Sequence, residues 1–380
     1  MTGGPLIGLR VVELAGIGPG PFACNYLEDL GATVIRIERS GGSNALPDAM
    51  ASIGRRPRTT LYLNLKDEDD RSIATTVIRH ADVLIEGFRP GVAERLGIGP
   101  ERMCEANPRL VYGRLTGWGQ DGPYAQMAGH DINYIGLSGA LAAIGTSDMP
   151  IPPLNLLGDY GGGAMFVIVG VLAALFERSS TGSGQVVDVA MVDGAATLMG
   201  PIRDLANAGL WTEEREANFL DGGSPFYTCY RTADDRFVAV GALEPQFFSV
   251  LVAGLGLDEA KLGDRLDRTA WPRLRQLLTE SFQQRTRDEW MDIFDGTDGC
   301  VTPVLSLSEV GTHPHNQARR ALRDGDGGSV PTPAPRFEGM VPEQRRRDLD
   351  FDGVSELLVD MGLEPALIED LIENAVIRWT

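Results

Sequence analysis

Six short strand-like runs recur through residues 10–192: Arg10–Leu14, Thr33–Glu38, Thr60–Leu65, Asp82–Glu86, Leu110–Leu115 and Gln185–Val192. Between them stand segments of helical periodicity. Pro21–Leu30 has proline in its first turn, and Asp70–Arg79, Ile132–Ile144 and Gly162–Arg178 carry apolar residues at helical spacing. Asp193–Ala208 continues the pattern. Strands that alternate with helices in this way predict a parallel sheet covered by helices, an α/β fold.

The pattern changes near Ser224. Tyr227–Arg231, a turn at Ala233-Asp234-Asp235 and Arg236–Gly241 read as a hairpin. Helices are expected at Pro245–Leu255, Trp271–Arg285 and Arg287–Phe294, then a strand at Val301–Leu305. Asp324–Pro335 is rich in Gly, Pro and Asp and reads as a linker, and Phe351–Val376 regains helical periodicity. A chain of 380 residues has room for two cores. The expected division is a large unit over 1–200, a linker helix and loop over 201–223, a smaller unit over 224–323, and a linker with a C-terminal helical segment over 324–380.

The net charge of −19 argues against non-specific nucleic-acid binding and against an anionic membrane surface. A polyanionic ligand would then need a local basic pocket. Arg39, Arg55, Arg56, Arg58, Lys66, Arg89 and Arg95, all in the first quarter, are its candidates. Cys24, Cys104, Cys229 and Cys300 are scattered, so neither a zinc site nor a disulfide framework is indicated. The beginning of the sequence shows no secretory pattern and its end, Val-Ile-Arg-Trp-Thr, is no peroxisomal tripeptide. The run Ala164–Phe176 is short for a bilayer and fits a core helix. A cytoplasmic location is the resulting expectation.

The chemistry-bearing residues are concentrated in two places. Gly129-His130-Asp131-Ile132-Asn133-Tyr134 holds one of four histidines, directly before a helical run. Gly158-Asp159-Tyr160-Gly161-Gly162-Gly163 holds a carboxylate, also before a helical run. A His and an Asp at glycine-flanked helix starts suit two proton-transfer groups with close backbone approach. Helix N-termini favour aspartate and neutral imidazole, which together hold no proton to donate, so some further group must help to retain one. An Asp before a helix is most often an N-cap, and Glu244 in Ala242-Leu243-Glu244-Pro245 would ordinarily be a helix-start acid. His313-Pro314-His315 reads as a loop, and no metal site is expected.

The first βα turn, Gly16-Ile17-Gly18-Pro19-Gly20-Pro21, with Glu38 ending the next strand, has the outline of a dinucleotide fingerprint. The spacing departs from it: Pro21 stands where the third glycine belongs, and the prolines stiffen the turn.

The segments LRVVELAGIGPGPF, ADVLIEGFRPGVAERLG, TGWGQDGPYAQMAGHDINY, PPLNLLGDYGGG, GQVVDVAMVDG, DGGSPFY, VGALEPQFF and PAPRF carry a resemblance over essentially the whole length. The chain resembles the α-methylacyl-CoA racemases of the family III CoA-transferase superfamily, with GHDINY and GDYGGG as the specific markers. The resemblance implies a Rossmann-like large domain to which the C-terminal segment 324–380 returns, a smaller α+β domain, and an interlocked homodimer with the active site between the large domain of one chain and the small domain of the other. It implies a 2-methylacyl-CoA substrate, with CoA as part of the substrate and no separate cofactor. It assigns CoA contacts to Arg39, Leu63, Asn64, Leu65, Lys66, Gly87, Phe88, Arg89, Arg95, Gly129, His130, Asp131, Ile132, Asn133 and Tyr134.

It makes His130 and Asp159 the acid/base pair on the two faces of an enolate, with Glu244 the carboxylate beside the histidine. The Asp131 backbone N–H is then the candidate oxyanion donor, and Met127, Phe219 and Leu220 candidate walls for the acyl chain. The runner-up is a CoA-transferase in which the aspartate is a nucleophile and His130 is not needed. A non-catalytic CoA-binding protein is the third possibility.

Overall fold

The computed structural model describes residues 4–39, 56–325, 328–338 and 351–379; Arg55 lies outside them. The chain forms two compact units. The first comprises Met1–Ala140, Pro153–Gly200 and Pro333–Thr380, and the second Leu141–Pro152 and Pro201–Thr332.

The first unit is built on a seven-stranded sheet: β1 (Arg10–Leu14), β2 (Thr33–Glu38), β3 (Thr60–Tyr62), β4 (Val83–Glu86), β5 (Val111–Thr116), β6 (Val186–Ala190) and, from the far end of the chain, β12 (Ile377–Arg378). The order is β12-β3-β2-β1-β4-β5-β6. β1 to β6 pair in parallel, and β12 runs antiparallel to β3. This is the doubly wound Rossmann order, and its switch point lies between β1 and β4. The period of two along a strand sends neighbouring residues into different cores. Val11 joins Val34, Val83 and Val111 under helices Pro19–Asp29 and Met165–Thr181. Val12 and Leu14 join Ile35, Ile37 and Leu84, with Ile73, Val354, Leu358 and Ile368 from the helices of the other face. A strand buried on both faces is what a covered parallel sheet requires.

Several expected elements differ. The helix expected over Ile132–Ile144 breaks into Asp131–Leu137 and Ala140–Ala143, because Gly139 takes a left-handed φ of 88°. Asp193–Ala208 divides into Met191–Leu198 and Gly200–Asn207. β3 stops at Tyr62, short of the expected Leu65. The helix expected from Gly162 begins earlier, as a π-helix over Leu156–Ala164 that passes into α-helix Met165–Thr181. Together these 26 residues are long and apolar enough to cross a membrane by length and composition, which the shorter expected run was not. Here the stretch covers the sheet: Val167, Ile168, Val171 and Ala174 are buried in the core against it.

The second unit has an antiparallel sheet of β7 (Tyr227–Arg231), β8 (Phe237–Gly241) and β9 (Val301–Pro303), packed on an aromatic core of Phe226, Phe248, Trp271, Phe282 and Trp290. Two features depart from the expected boundaries. Residues 201–223, expected as a linker, belong to this unit, and fully buried Asn218 bonds through its amide to Thr212, Glu214 and Asp221. Leu141–Pro152 also belongs here, where Arg215 donates to the carbonyls of Thr146, Ala142 and Ser147 at 2.6, 3.1 and 3.2 Å. The expected linker Asp324–Pro335 instead begins inside a hairpin of β10 (Leu322–Gly325) and β11 (Gly328–Pro331).

Candidate active site

His130 occupies the N-cap position of helix Asp131–Leu137, with extended backbone (φ −132°, ψ 175°). Its N–H is accepted by Oδ1 of Asn133 at 3.0 Å, the reciprocal half of a capping box. That bond fixes the backbone and leaves the imidazole exposed. Buried Tyr134 stiffens the turn from below. Its hydroxyl donates to the Gly129 carbonyl, and its ring lies edge-on to Trp118 at 4.8 Å. The ring also lies so close to the Gly117 and Gly129 backbones that a side chain at either position would collide with it. Burial, with the Asp159 charge second, pushes the Tyr134 phenol up to about 12, so it remains a donor.

Asp131 is 5% exposed. Its Oδ2 accepts the backbone N–H groups of Gly158 (2.6 Å) and Asp159 (2.7 Å). Glycine is required at 158, since a Cβ there would stand 2.6 Å from that oxygen. The π-helical turn that follows packs its backbone on helix Met191–Leu198, where a Cβ on Gly162 would lie 2.6 Å from the Ala195 nitrogen. The run of glycines therefore serves close backbone approach on two sides.

Asp159 lies inside the first turn of the π-helix, not ahead of it, and the N-cap position belongs to Asn155. Asn155 Nδ2 donates to Asp159 Oδ2 at 3.1 Å. The Asp159 carboxyl is raised from its ordinary value, first by burial and also by the Asp131 charge; the Asn155 bond and the nearby His130 imidazole oppose the rise. The glycine turn after β1 reaches the same place. Gly18, at φ 74°, caps helix Pro19–Asp29, and a Cβ on it would lie 3.6 Å from Asp159 Oδ2. Phe22 on that helix contacts Tyr160 at 4.8 Å between ring centres. A turn with the outline of a dinucleotide fingerprint is thus the wall beside Asp159. Neither this contact nor Asn155 was apparent from sequence; the only local signal for Asn155 is its spacing four residues before the aspartate.

Several of the residues assigned to CoA stand at carboxyl ends of strands, on the side where open α/β sheets take ligands. Arg39 follows β2, residues 63–66 follow β3, and Gly87-Phe88-Arg89 follows β4 beside the switch point. Arg39, Asn64, Lys66, Gly87, Arg89, Arg95, Ile132 and Asn133 are exposed. Leu63 and, in part, Leu65 and Phe88 pack into the core. Asp131 and Tyr134 are buried, so any ligand would meet chiefly their backbone.

Arg56 and Arg58 are committed elsewhere. Arg56 forks onto Asp29 at 2.7 and 2.8 Å. Arg58, its side chain 1% exposed, pairs with Glu13 at 2.9 Å and Glu28 at 3.3 Å and also bonds Asn25, while Arg36 pairs with the same Glu13 at 3.2 Å. A cation held inside the fold, as Arg58 is, is not available to a phosphate, whereas the Arg56 side chain is 36% exposed and is engaged by Asp29 at the surface. A second buried network escaped the sequence reading. Glu86, at the end of β4, accepts from the Phe88 N–H at 2.6 Å and from Arg114 Nε at 3.0 Å, and Arg114 also pairs with Glu94 at 2.9 Å. It shapes the 87–89 turn from behind. Burial raises the Glu86 carboxyl, and the Phe88 N–H and Arg114 resist that rise.

Among the candidate acyl walls, Met127 is 51% exposed on the first unit. In the second unit Leu220 is exposed, but Phe219 packs against Trp271 and Phe226 in the aromatic core. Glu244 is also in the second unit, exposed at the N-cap position of helix Pro245–Gly254 and making no side-chain capping bond. His313 takes the N-cap position of a short helix, Pro314–Ala318, where a loop was expected.

The family model of CoA-transferase family III matches residues 6–347. Alpha-methylacyl-CoA racemase of Mus musculus is 43% identical over 379 residues, covering 98% of this chain and 97% of its own. The protein of the same name from Homo sapiens is 42% identical, again over 98% and 97%. A crystal structure of a CAIB/BAIF family protein from Brucella suis superimposes with a TM-score of 0.77 at 25% identity, over 94% of this chain and 100% of that one. With the doubly wound sheet and the paired His130 and Asp159 turns in place, this chain belongs to the family III CoA-transferases.

Proposed function

We propose that the chain is an α-methylacyl-CoA racemase, which interconverts (2R)- and (2S)-2-methylacyl-CoA by removing and returning the α-proton through an enolate. The observation that carries this reading is the convergence of His130 and Asp159. Two adjoining helix starts, joined by the Asp131 carboxylate, bring the imidazole close enough to act electrostatically on a half-buried carboxyl.

Racemisation needs one group as base and another as acid on opposite faces of a planar intermediate. In one direction neutral His130 takes the proton and protonated Asp159 returns one. In the other, Asp159 carboxylate is the base and His130 imidazolium the acid. The raised proton affinity of Asp159 supports this use, because it makes the protonated form accessible nearer neutrality. The Asp131 N–H, first in its helix and without an intrahelical partner, is the donor for the enolate oxygen. Arg39, Lys66, Arg89 and Arg95 supply positive charge for the phosphates of CoA. CoA is part of the substrate, and the reaction calls for no separate cofactor or metal. Glu244 is carried as the third catalytic group on family resemblance, as are an interlocked homodimer and a role in fatty-acid metabolism; the cytoplasmic location is the expectation of the sequence alone.

The test is NMR of a (2S)-2-methylacyl-CoA with the purified protein in deuterated water. Loss of the α-proton signal with racemisation, abolished in His130→Ala and Asp159→Ala, is the expected result. No exchange, with CoA passed to an added carboxylic acid and an Asp159 adduct trapped, would replace this reading with the transferase. Co-expressing the inactive variants His130→Ala and Glu244→Ala tests the dimer, since chains that share sites recover part of the activity.

A further inference from the structure

We propose that the Asp131 side chain is a positioning residue of the two-base site, fixing the placement of Asp159 relative to His130 through the two backbone N–H groups it holds. The inference rests on the racemase reading and goes beyond it, since that reading gives Asp131 only a backbone role.

The geometry is specific. Asp131 directly follows His130 in the chain, and its Oδ2 binds Gly158 N–H at 2.6 Å and Asp159 N–H at 2.7 Å. The two proton-transfer residues are thus joined through one side chain and two short bonds. Carboxylate bonds to backbone N–H groups are charge-assisted and stronger than neutral ones. The joint is also crowded. Gly158 has no room for a Cβ on the Asp131 side, and the far side of the π-helical turn is pressed on helix Met191–Leu198 through Gly162. Asp159 therefore has little freedom to drift from His130 while the bonds hold. Position matters strongly for such a pair, because a misplacement of about 1 Å can cost on the order of 10²-fold in rate.

The joint has an electrostatic consequence as well. Asp131 Oδ1 is buried and has no hydrogen-bond partner among the described residues, so its charge is incompletely neutralised next to Asp159. The charged groups acting on Asp159 are Asp131, which favours its protonated form, and His130, which disfavours it. The Tyr134 phenol lies within electrostatic reach on the following helical turn. Asn155 supplies a neutral donor. Helices Pro19–Asp29 and Met191–Leu198 approach the π-helical turn with backbone at Gly18 and at Gly194–Ala195 and with the uncharged side chains of Phe22, Met191 and Leu198. Asp131 is thus a source of the proton retention that two helix starts alone would oppose.

Asp131→Asn and Asp131→Ala separate the two effects. Asparagine keeps an oxygen for both N–H groups and removes the charge. Alanine removes both. Each variant, as the full chain, is assayed for α-proton exchange of a 2-methylacyl-CoA in deuterated water across pH, with thermal unfolding in parallel. For Asp131→Asn, kcat should fall less than about tenfold, and the pH limb belonging to Asp159 should move to lower pH in both reaction directions. For Asp131→Ala, kcat should fall about 10²-fold or more while KM changes less than about threefold, because the grip on CoA lies elsewhere. Should the alanine variant fail to fold, the asparagine limb still decides the charge effect. An unmoved pH limb in Asp131→Asn would remove the charge effect, and an Asp131→Ala protein with lowered melting temperature but wild-type kcat would overturn the positioning role, in both cases leaving the racemase reading intact. Absence of exchange in the wild type overturns both.

Discussion

Asp67 stands one residue before helix Glu68–Arg79, and its Oδ1 accepts from the N–H groups of Asp69 and Asp70 at 3.0 and 3.2 Å. Asp159 stands in the first turn of the π-helix, where the N–H groups of Gly158 and of Asp159 itself are taken by Asp131, 28 residues earlier than Asp159 in sequence. The first aspartate is consumed by its own helix. The second has its local bonding supplied from elsewhere, so its carboxyl is left to bond Asn155 and face His130. An acid at a helix start becomes chemically useful when another group does the capping.

The largest expected effect breaks the comparison at its functional end. Asp159→Asn should lower α-proton exchange by about 10³-fold or more with little change in unfolding temperature, as expected for loss of an essential acid/base group; an active variant would remove Asp159 from the mechanism. Gly158→Ala comes next. Its methyl group would press on Asp131 Oδ2, so exchange should fall roughly 10²-fold and the melting temperature with it. Full activity there would show that the joint tolerates displacement. Asp67→Ala sharpens the other side. It should cost about 1 kcal/mol of stability by denaturant unfolding and leave kcat unchanged. The smallest effect is Asn155→Ala. Its bond holds the Asp159 carboxyl down, so its loss should move the Asp159 limb of the pH–rate profile to higher pH, opposite in direction to Asp131→Asn.

The same contrast explains what could be read from sequence. The six parallel strands were legible because burial on both faces of a sheet leaves a local signature of short apolar runs between helices. Helix Glu68–Arg79 was legible from Asp70 onward by its apolar spacing, two residues short of its start, and its Asp67 cap was not read. His130 and Asp159 stood out through their neighbours. The Asp131 bond spans 27 and 28 residues, the Arg58–Glu13 pair 45, and the Arg215 bonds to Leu141–Pro152 about 70, and none leaves a periodic trace. The start of the π-helix at Leu156 was missed because the helix was expected only from Gly162, and the glycines that admit backbone against backbone leave no apolar periodicity before it. Arg56 and Arg58 looked like ligand-binding cations because a sequence shows charge but not the acid that will meet it.

The placement of β12 bears on how the protein is made. Ile377–Arg378 lies at the sheet edge beside β3, and Val354, Leu358, Ile368 and Leu371 complete a core begun by Val12 and Ile35. During translation the ribosome delivers more than three hundred residues, including all of the second unit, before these arrive. The second unit's main segment, Pro201–Thr332, is by contrast nearly self-contained. One face of the large sheet, covered in part by the early helices Glu68–Arg79 and Pro100–Ala106, therefore stays incompletely covered on the nascent chain until synthesis is almost over, which makes it a natural target for chaperones and the stage at which aggregation competes with folding.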